Sequence, residues 1–126
     1  MKAIHILMSF LFKSTLIKYL QRNLLMITCY VKYQIDPDKI EAFENYAKLW
    51  IPLVKRFGGT HHGYFLPHES DNDLAVTLFS FPSLSAYETY RKDSMKDEEC
   101  IAAYQLAKTT KCIIRYDRQF LRPVLE

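Results

Sequence analysis

The sequence lacks the short motifs that mark nucleotide-binding and hydrolytic enzymes. No G-x-G-x-x-G, P-loop, H-E-x-x-H or G-x-S-x-G pattern occurs among its 126 residues. These patterns place phosphates, a catalytic zinc ion or a nucleophilic serine, so the sequence gives those chemistries no support. Asp71-Asn72-Asp73 has the residue types that bind calcium, but the glycine turn and distal glutamate of an EF-hand are missing.

Cysteine is scarce and shows no pairing pattern. Cys29, Cys100 and Cys112 are odd in number and have no C-x-x-C spacing, which argues against a disulfide framework and a structural zinc site. A reducing compartment is the default for such a chain. We therefore expect a cytoplasmic protein with no metal site and no cofactor.

Acidic residues are absent from the first 25 positions. This segment carries Lys2, Lys13, Lys18 and Arg22, whereas the rest of the chain holds 13 basic and 14 acidic residues. The net charge of +3 therefore comes from the segment. The remainder is close to neutral and lacks the basic surface of a nucleic-acid-binding protein.

The apolar run over residues 3–12 is too short to span a bilayer, so we expect no membrane span. It has the length of a signal-peptide core without a cleavage site after it, and its basic character resembles a mitochondrial presequence. A regular strand pattern begins directly after Met26. Three interpretations remain open: translation from Met26, a targeting or membrane-surface segment, or an additional helix. We divide the chain into an extension over 1–25 and one domain over 26–126.

Hydrophobic periodicity predicts the first half of that domain. Strict alternation predicts a strand over 27–35. Asp36-Pro37 then begins a helix whose apolar stripe includes Trp50, which we expect in the core. The helix ends at Gly58-Gly59. A polar turn over 67–73 joins two further strands, over 60–66 and 74–81, into a hairpin.

The second half repeats the helix-then-strand order. Ser83 is expected to cap a second helix, which is interrupted at Asp93-Ser94 and resumes over 97–107. The last strand covers 112–120, with Ile114, Tyr116 and Phe120 on one face and Arg115 and Asp117 on the other. The order βαββαβ predicts a ferredoxin-like α+β fold, a four-stranded antiparallel sheet with both helices on one face. The other sheet face then needs a cover, and a second copy forming a homodimer would supply it.

Two passages carry a family resemblance, Phe57-Gly58-Gly59-Thr60 followed by Gly63-Tyr64-Phe65, and Ser83-Leu84 followed by Tyr87 and Tyr90-Arg91. Over roughly residues 26–122 the chain resembles the NIPSNAP family of dimeric α/β-barrel proteins. The resemblance implies a ferredoxin-like protomer that pairs with a second copy to close a barrel. It implies no defined activity, and proteins of similar fold include small monooxygenases, haem-handling proteins and enzymes that act without a cofactor.

Three of the four histidines lie in or just after the second predicted strand. His61 and His62 are adjacent, so they should face opposite sides of the sheet, and His62 should share a face with Tyr64. A metal site would require His68 and Glu69 to fold back towards one of them. A general base is the alternative, because imidazole titrates near neutrality. The candidate catalytic residues are His62, Tyr64, His61 and Arg91, with Tyr46 and His68 as candidate ligand-binding residues.

Arg91 has two interpretations. Its guanidinium could hold a carboxylate or phenolate ligand, or it could be a solvated helix charge paired with Glu88 or Asp93. The function that we predict is binding or conversion of a small apolar or aromatic molecule in a cleft between sheet and helices. One alternative is a non-enzymatic protein-interaction module, and another is a cofactor-independent monooxygenase-like or a haem- or metal-handling protein.

Overall fold

The computed structural model describes residues 13–17 and 25–125. Residues 13–17 are helical. The three interpretations of the N-terminal extension concern residues that lie almost entirely outside this range, so the boundary between residues 25 and 26 stays a prediction.

The domain is built from four strands and three α-helices in the order βαββααβ. The elements are β1 (Ile27–Ile35), a 3-10 helix (Pro37–Lys39), α1 (Ile40–Arg56), β2 (Thr60–Phe65), β3 (Leu74–Phe81), α2 (Leu84–Ser94), α3 (Glu98–Thr110) and β4 (Ile113–Leu121). The strands form one antiparallel sheet in the order β2-β3-β1-β4. This confirms the predicted ferredoxin-like α+β fold, with the second helix broken into α2 and α3.

Side-chain caps set the helix starts where the sequence predicts them. Asp36 accepts a hydrogen bond from the Asp38 amide at 2.9 Å and starts the 3-10 turn that leads into α1. Ser83 Oγ accepts from the Ala86 amide at 3.0 Å at the start of α2. Asp97 accepts from the Cys100 amide at 3.0 Å at the start of α3. Each cap satisfies an amide that would otherwise lack a partner.

The core lies between one sheet face and the helices. Alternate residues of β1 point into it, and the inward side of α1 packs against them. The core is rich in aromatic rings: Phe43 meets Tyr33 edge-on at 5.1 Å, and Phe81 stacks on Tyr90 at 4.9 Å. Cys29, Cys100 and Cys112 are unpaired and buried among these residues.

A bulge in β4 changes which residues face the core. Ile113 pairs with Ile35, but Gln34 pairs with Arg115, so Ile114 is an extra residue in the ladder. The predicted unbroken alternation from Ile114 to Tyr116 and Phe120 is therefore wrong at Ile114, which is 56% exposed. Tyr116 pairs with Tyr33 on the helix side of the sheet and is still 52% exposed. The helices thus leave this edge of the sheet partly open.

The other sheet face, opposite α1, α2 and α3, carries a band of apolar side chains. Tyr30 pairs with Leu78, and Val76 pairs with Phe65, which is exposed. We call these four residues the open-face band. Within the described part of the chain, no helix has the length and apolar character needed to cross a membrane.

Candidate functional site

A cleft of about 530 Å³ opens where the helices leave β4 partly uncovered. Its lining combines aromatic and cationic side chains from β1, β4 and all three helices: Tyr33, Tyr46, Arg91, Tyr104, Lys108, Tyr116 and Arg118. Met95, Ile101 and Ala107 add apolar surface. Its volume lies within the range of small-molecule sites, about 300–1,000 Å³.

A second space of about 50 Å³ adjoins the cleft and reaches into the core. We call it the inner chamber. It shares five lining residues with the cleft and adds deeper aromatic residues, among them Trp50, Tyr64 and Tyr90. The indole N–H of Trp50 is buried and has no acceptor with good geometry among the described residues. The cleft therefore narrows into an aromatic chamber.

The buried phenols of Tyr33, Tyr46 and Tyr64 stay uncharged at physiological pH. Burial, followed by the proximity of Tyr104, raises the pKa of Tyr46. Burial, followed by the proximity of Tyr64 and Tyr46, raises the pKa of Tyr33. Burial and the proximity of Tyr46 raise the pKa of Tyr64, against the opposing effect of its hydrogen bond with Tyr33. A buried phenol keeps its proton because the phenolate would lose hydration. These tyrosines can therefore donate and accept hydrogen bonds, but they supply no negative charge.

Arg91 and Arg118 bring positive charge to both spaces. Neither forms an ion pair with a carboxylate among the described residues. The Nε of Arg118 is buried and has no hydrogen-bond partner there. The guanidinium carbon of Arg118 lies 5.5 Å from the ring centre of Tyr116, within the range of a cation–π contact. Arg118 is thus held by an aromatic face while one of its donors is unused.

Cys29 lies close to this arginine but is not a nucleophile. The residue is fully buried, and burial raises the pKa of its thiol to about 11, against the opposing influence of Arg118 and Arg91. Reactive cysteines need a thiolate and access to solvent. Cys29 therefore belongs to the core, as the sequence pattern indicates.

A bulge in β2 rearranges the candidate histidines. His61 pairs with Phe79 and Tyr64 pairs with Thr77, so three steps along β2 match two steps along β3. Gly63 absorbs the extra residue with a φ of +103°, a conformation that favours glycine. His61 and Tyr64 therefore share the helix-facing side. The prediction that His62 shares a face with Tyr64 is wrong, because the bulge interrupts the regular alternation of side chains along β2.

His61 is held beside the core but does not line the cleft. Its ring stacks on Tyr64 at 5.1 Å and lies 5.8 Å from Phe79. Its Nδ1 accepts a hydrogen bond from the Gly63 amide at 2.9 Å. Burial, followed by the nearby charge of His62, lowers the pKa of His61 to about 4. The imidazole is therefore neutral at physiological pH.

His62 and His68 lie away from the cleft. His62 is exposed on the open sheet face, where its Nε2 lies 2.8 Å from Ser80 Oγ, and Ser80 Oγ lies 2.7 Å from Thr28 Oγ1. His68 is exposed in the turn after β2. In the part of the chain that the structure describes, no three His, Cys, Asp or Glu side chains are placed to share a metal ion.

The sequence profile of the NIPSNAP family matches residues 30–125. The chain belongs to the NIPSNAP family. No curated protein matches it in sequence.

Solved structures support the fold of this NIPSNAP domain. A NIPSNAP family protein of unknown function from Agrobacterium tumefaciens superposes with a TM-score of 0.68 at 19% identity, covering 79% of this chain and 88% of that one. An uncharacterised NIPSNAP-like domain protein from Burkholderia xenovorans gives 0.65 at 18%, covering 79% and 85%. A putative antibiotic biosynthesis monooxygenase from Nitrosomonas europaea gives 0.61 at 12%, covering 79% and 90%. At these identities the likeness establishes the fold alone.

The NIPSNAP domain brings together only some of the residues that the sequence singles out. Tyr46 and Arg91 line both the cleft and the inner chamber, and Tyr64 lines the inner chamber. His61, His62 and His68 line neither of them among the described residues. The roles predicted for all six residues stay predictions.

Sequence reasoning did not identify Arg118. The sequence contains a signal for it, because Arg118 lies two residues from both Tyr116 and Phe120. It therefore shares their face of β4, which is directed towards the core. An arginine at such a position needs a partner or a function. Tyr33, Tyr104 and Tyr116 were not singled out either, since an aromatic residue on a strand or helix is usually explained by packing alone.

Proposed function

We propose that this NIPSNAP domain binds a small aromatic molecule in the cleft between the sheet and the helices. The main support is the shape of the site: an open cleft of about 530 Å³, lined by tyrosines, continues into the aromatic inner chamber. Aromatic rings attract other rings through apolar burial and edge-to-face or offset contacts. Tyr33, Tyr46 and Tyr104 line both spaces and are the residues that we assign to ring binding.

The geometry favours binding over turnover. Of the described residues that line the cleft, none is a histidine, an acid or a cysteine. The buried phenols of Tyr33 and Tyr46 have raised pKa values, so they are poor bases at neutral pH. The proton-transfer role predicted for the histidines therefore has no support from their positions. This is why we propose a binding function for the cleft.

We also propose that a second copy of the chain covers the open sheet face. The open-face band presents Phe65 together with half-buried Tyr30, Val76 and Leu78, on the sheet face opposite the one against which α1, α2 and α3 pack. Apolar, self-complementary surfaces of this kind are typical of two-fold dimers. The family resemblance also implies a dimer. The three unpaired buried thiols support the cytoplasmic location, which remains a prediction.

Calorimetric titration of the full-length protein with 2-naphthoate tests the binding proposal. Ala107 on α3 lines the cleft, whereas Ala102 on the same helix is exposed elsewhere. Ala107→Trp fills the cleft with a bulky side chain, and Ala102→Trp is the matched control. We expect Ala107→Trp to weaken binding by about 10-fold or more, since an occupied cavity excludes the ring.

Two outcomes would overturn the proposal. If the wild-type protein does not bind 2-naphthoate, the proposal that the cleft binds small aromatic molecules is refuted. Equal losses in Ala107→Trp and Ala102→Trp would place the binding site elsewhere. Circular dichroism of both variants establishes that each one is folded.

A further inference from the structure

We infer that the natural ligand of the cleft is an aromatic carboxylate, and that Arg118, together with Arg91, binds its carboxylate group. This inference rests on the proposed binding function and adds the charge of the ligand. It also assigns a role to a residue that sequence reasoning passed over.

The charge of the cleft lining points to an anionic ligand. The cleft is lined by three cationic side chains, Arg91, Lys108 and Arg118, and by no Asp or Glu among the described residues. Residues 26–126 as a whole are nearly neutral, with 13 basic and 14 acidic residues. The positive charge of the cleft is therefore local. A concave site with charge of one sign concentrates ligands of the opposite sign.

No carboxylate of the described residues neutralises Arg118. The residue is half-buried, lines both spaces and forms no ion pair among the described residues, although charges removed from water are usually paired. Guanidinium remains protonated at all physiological pH values and matches a carboxylate through two parallel N–H···O hydrogen bonds. A ligand carboxylate therefore supplies the negative charge that the protein leaves out.

The two arginines also lie at a telling position. Arg91 and Arg118 belong to the five residues that line both the cleft and the inner chamber. A carboxylate bound by them lies where the two spaces meet, and the attached ring packs against Tyr33, Tyr46 and Tyr104, which line both spaces. The apolar part of the same ligand then extends into the cleft, between Ile101, Ala107 and Tyr116. This geometry selects a molecule with one acidic end and one aromatic body.

The alternative is a purely structural arginine. Arg118 contacts the ring of Tyr116 and interacts with Cys29 and Tyr87, so it could simply hold β4 against the core. This alternative predicts that ligand charge has no effect on affinity. The two interpretations can therefore be separated by changing the charge of the ligand without changing its shape.

The experiment compares 2-naphthoate with 2-naphthamide, a neutral molecule of nearly the same shape, by calorimetric titration of the full-length protein. We expect the acid to bind about 10- to 100-fold more tightly, the range for a charge-assisted hydrogen bond. Arg118→Gln should remove most of this preference. Arg115→Gln is the matched control, because Arg115 lies on the opposite face of β4 and does not line the cleft.

Arg91→Gln and Lys92→Gln form a second matched pair on α2, since Lys92 is exposed outside the cleft. We expect Arg91→Gln to reduce the preference for the acid and Lys92→Gln to leave it unchanged. Arg118→Lys, which keeps the charge but not the planar fork, should retain only part of the preference.

Each result decides the inference. Equal affinities for acid and amide in the wild-type protein would overturn it and leave the proposed aromatic-binding function standing. A preference for the acid that survives Arg118→Gln in a folded variant would remove the role of Arg118. If neither compound binds, the proposed function itself fails and the inference fails with it.

Discussion

His61 and Tyr64 stack their rings 5.1 Å apart on the helix-facing side of β2, although three residue steps separate them. In a regular strand such residues face opposite sides of the sheet. His62 lies on the open face by ordinary alternation, and the bulge at Gly63 then shifts the alternation so that Tyr64 reaches the inner chamber. One inserted residue thus decides which side chains reach the binding site.

The burial of His61 predicts a pH dependence of stability. Its pKa in the folded protein, about 4, is lower than the ordinary value of 6.5 expected in the unfolded chain. Between these values the unfolded chain binds more protons, so the free energy of unfolding should fall as the pH is lowered from 6.5 towards 4. Because the ring is partly open to solvent, we expect a loss of about 1 kcal/mol.

Urea denaturation at several pH values between 7.5 and 4.5 checks this prediction. His61→Phe keeps an aromatic ring in the stack and removes the titration, so the pH dependence over this window should become shallower. His68→Gln is the control, since His68 is exposed, and its curve should follow that of the wild type. An unchanged slope in His61→Phe would show that other groups cause the dependence.

The sequence predicts the order of elements because the signals for it are local. Ser83 and Asp97 cap helices through amides only three residues away, and the alternation of β1 needs no knowledge of its partners. The bulges at Ile114 and Gly63 are different, because a bulge is defined by the register of the neighbouring strand.

The cleft could not be predicted from the sequence for a related reason. Its existence depends on how far the helices cover β4, which local patterns do not specify. Tyr116 is an example. It lies on the core-facing side of β4, as a core residue would, yet it is half exposed and lines the cleft.

Replacing Arg118 with an apolar residue should stabilise the unliganded protein. Arg118→Met removes a buried donor without a hydrogen-bond partner among the described residues, whose burial costs about 1–3 kcal/mol of stability. It also removes a cation–π contact that contributes about 0.5–1 kcal/mol. We expect the free energy of unfolding to rise by about 1 kcal/mol. Binding residues are often kept at such a cost to stability.

Chemical denaturation of Arg118→Met and Arg115→Met measures this difference. Arg115 is exposed on the opposite face, so its replacement should change stability by no more than about 0.5 kcal/mol. A marked loss of stability in Arg118→Met alone would indicate that the arginine supports the fold.

Gly59 permits a close contact between the end of α1 and β3. A Cβ atom at this position would lie 2.7 Å from Val54 Cγ1 and 2.8 Å from Phe81 Cζ. Both neighbours are fully buried, so Gly59→Ala should destabilise the protein by about 1–3 kcal/mol. A Cβ atom at Gly58 would have no atom of the described residues within 4 Å. Gly58→Ala should therefore lower the free energy of unfolding only by the backbone strain of its φ of +90°, about 1 kcal/mol.

A double-mutant cycle identifies the cause of the Gly59 effect. Val54→Ala removes the nearest methyl group, so the cost of Gly59→Ala should be smaller in that background than in the wild type. Strictly additive free energies of unfolding would show that the contact with Val54 is not responsible.

The proposed dimer predicts a clear response to charge on the open face. Leu78 lies in the open-face band, and Leu84 is an exposed apolar residue of α2. Leu78→Glu should convert the dimer to a folded monomer, because a buried unpaired carboxylate at the interface costs several kcal/mol. Leu84→Glu should leave the dimer intact.

Sedimentation velocity of the wild type and both variants tests the dimer, with circular dichroism as the measure of folding. A wild-type protein that sediments as a monomer at micromolar concentration would refute the proposed assembly. A dimer that persists in Leu78→Glu would move the interface to another surface.

Trp50 gives the inner chamber its own optical signal. It is the only tryptophan in the chain, it lines the chamber, and its indole N–H has no acceptor of good geometry among the described residues. A ligand that enters the chamber changes the polarity around this indole. Intrinsic fluorescence therefore reports occupancy of the chamber without a label, and a library of compounds can be screened on the unmodified protein.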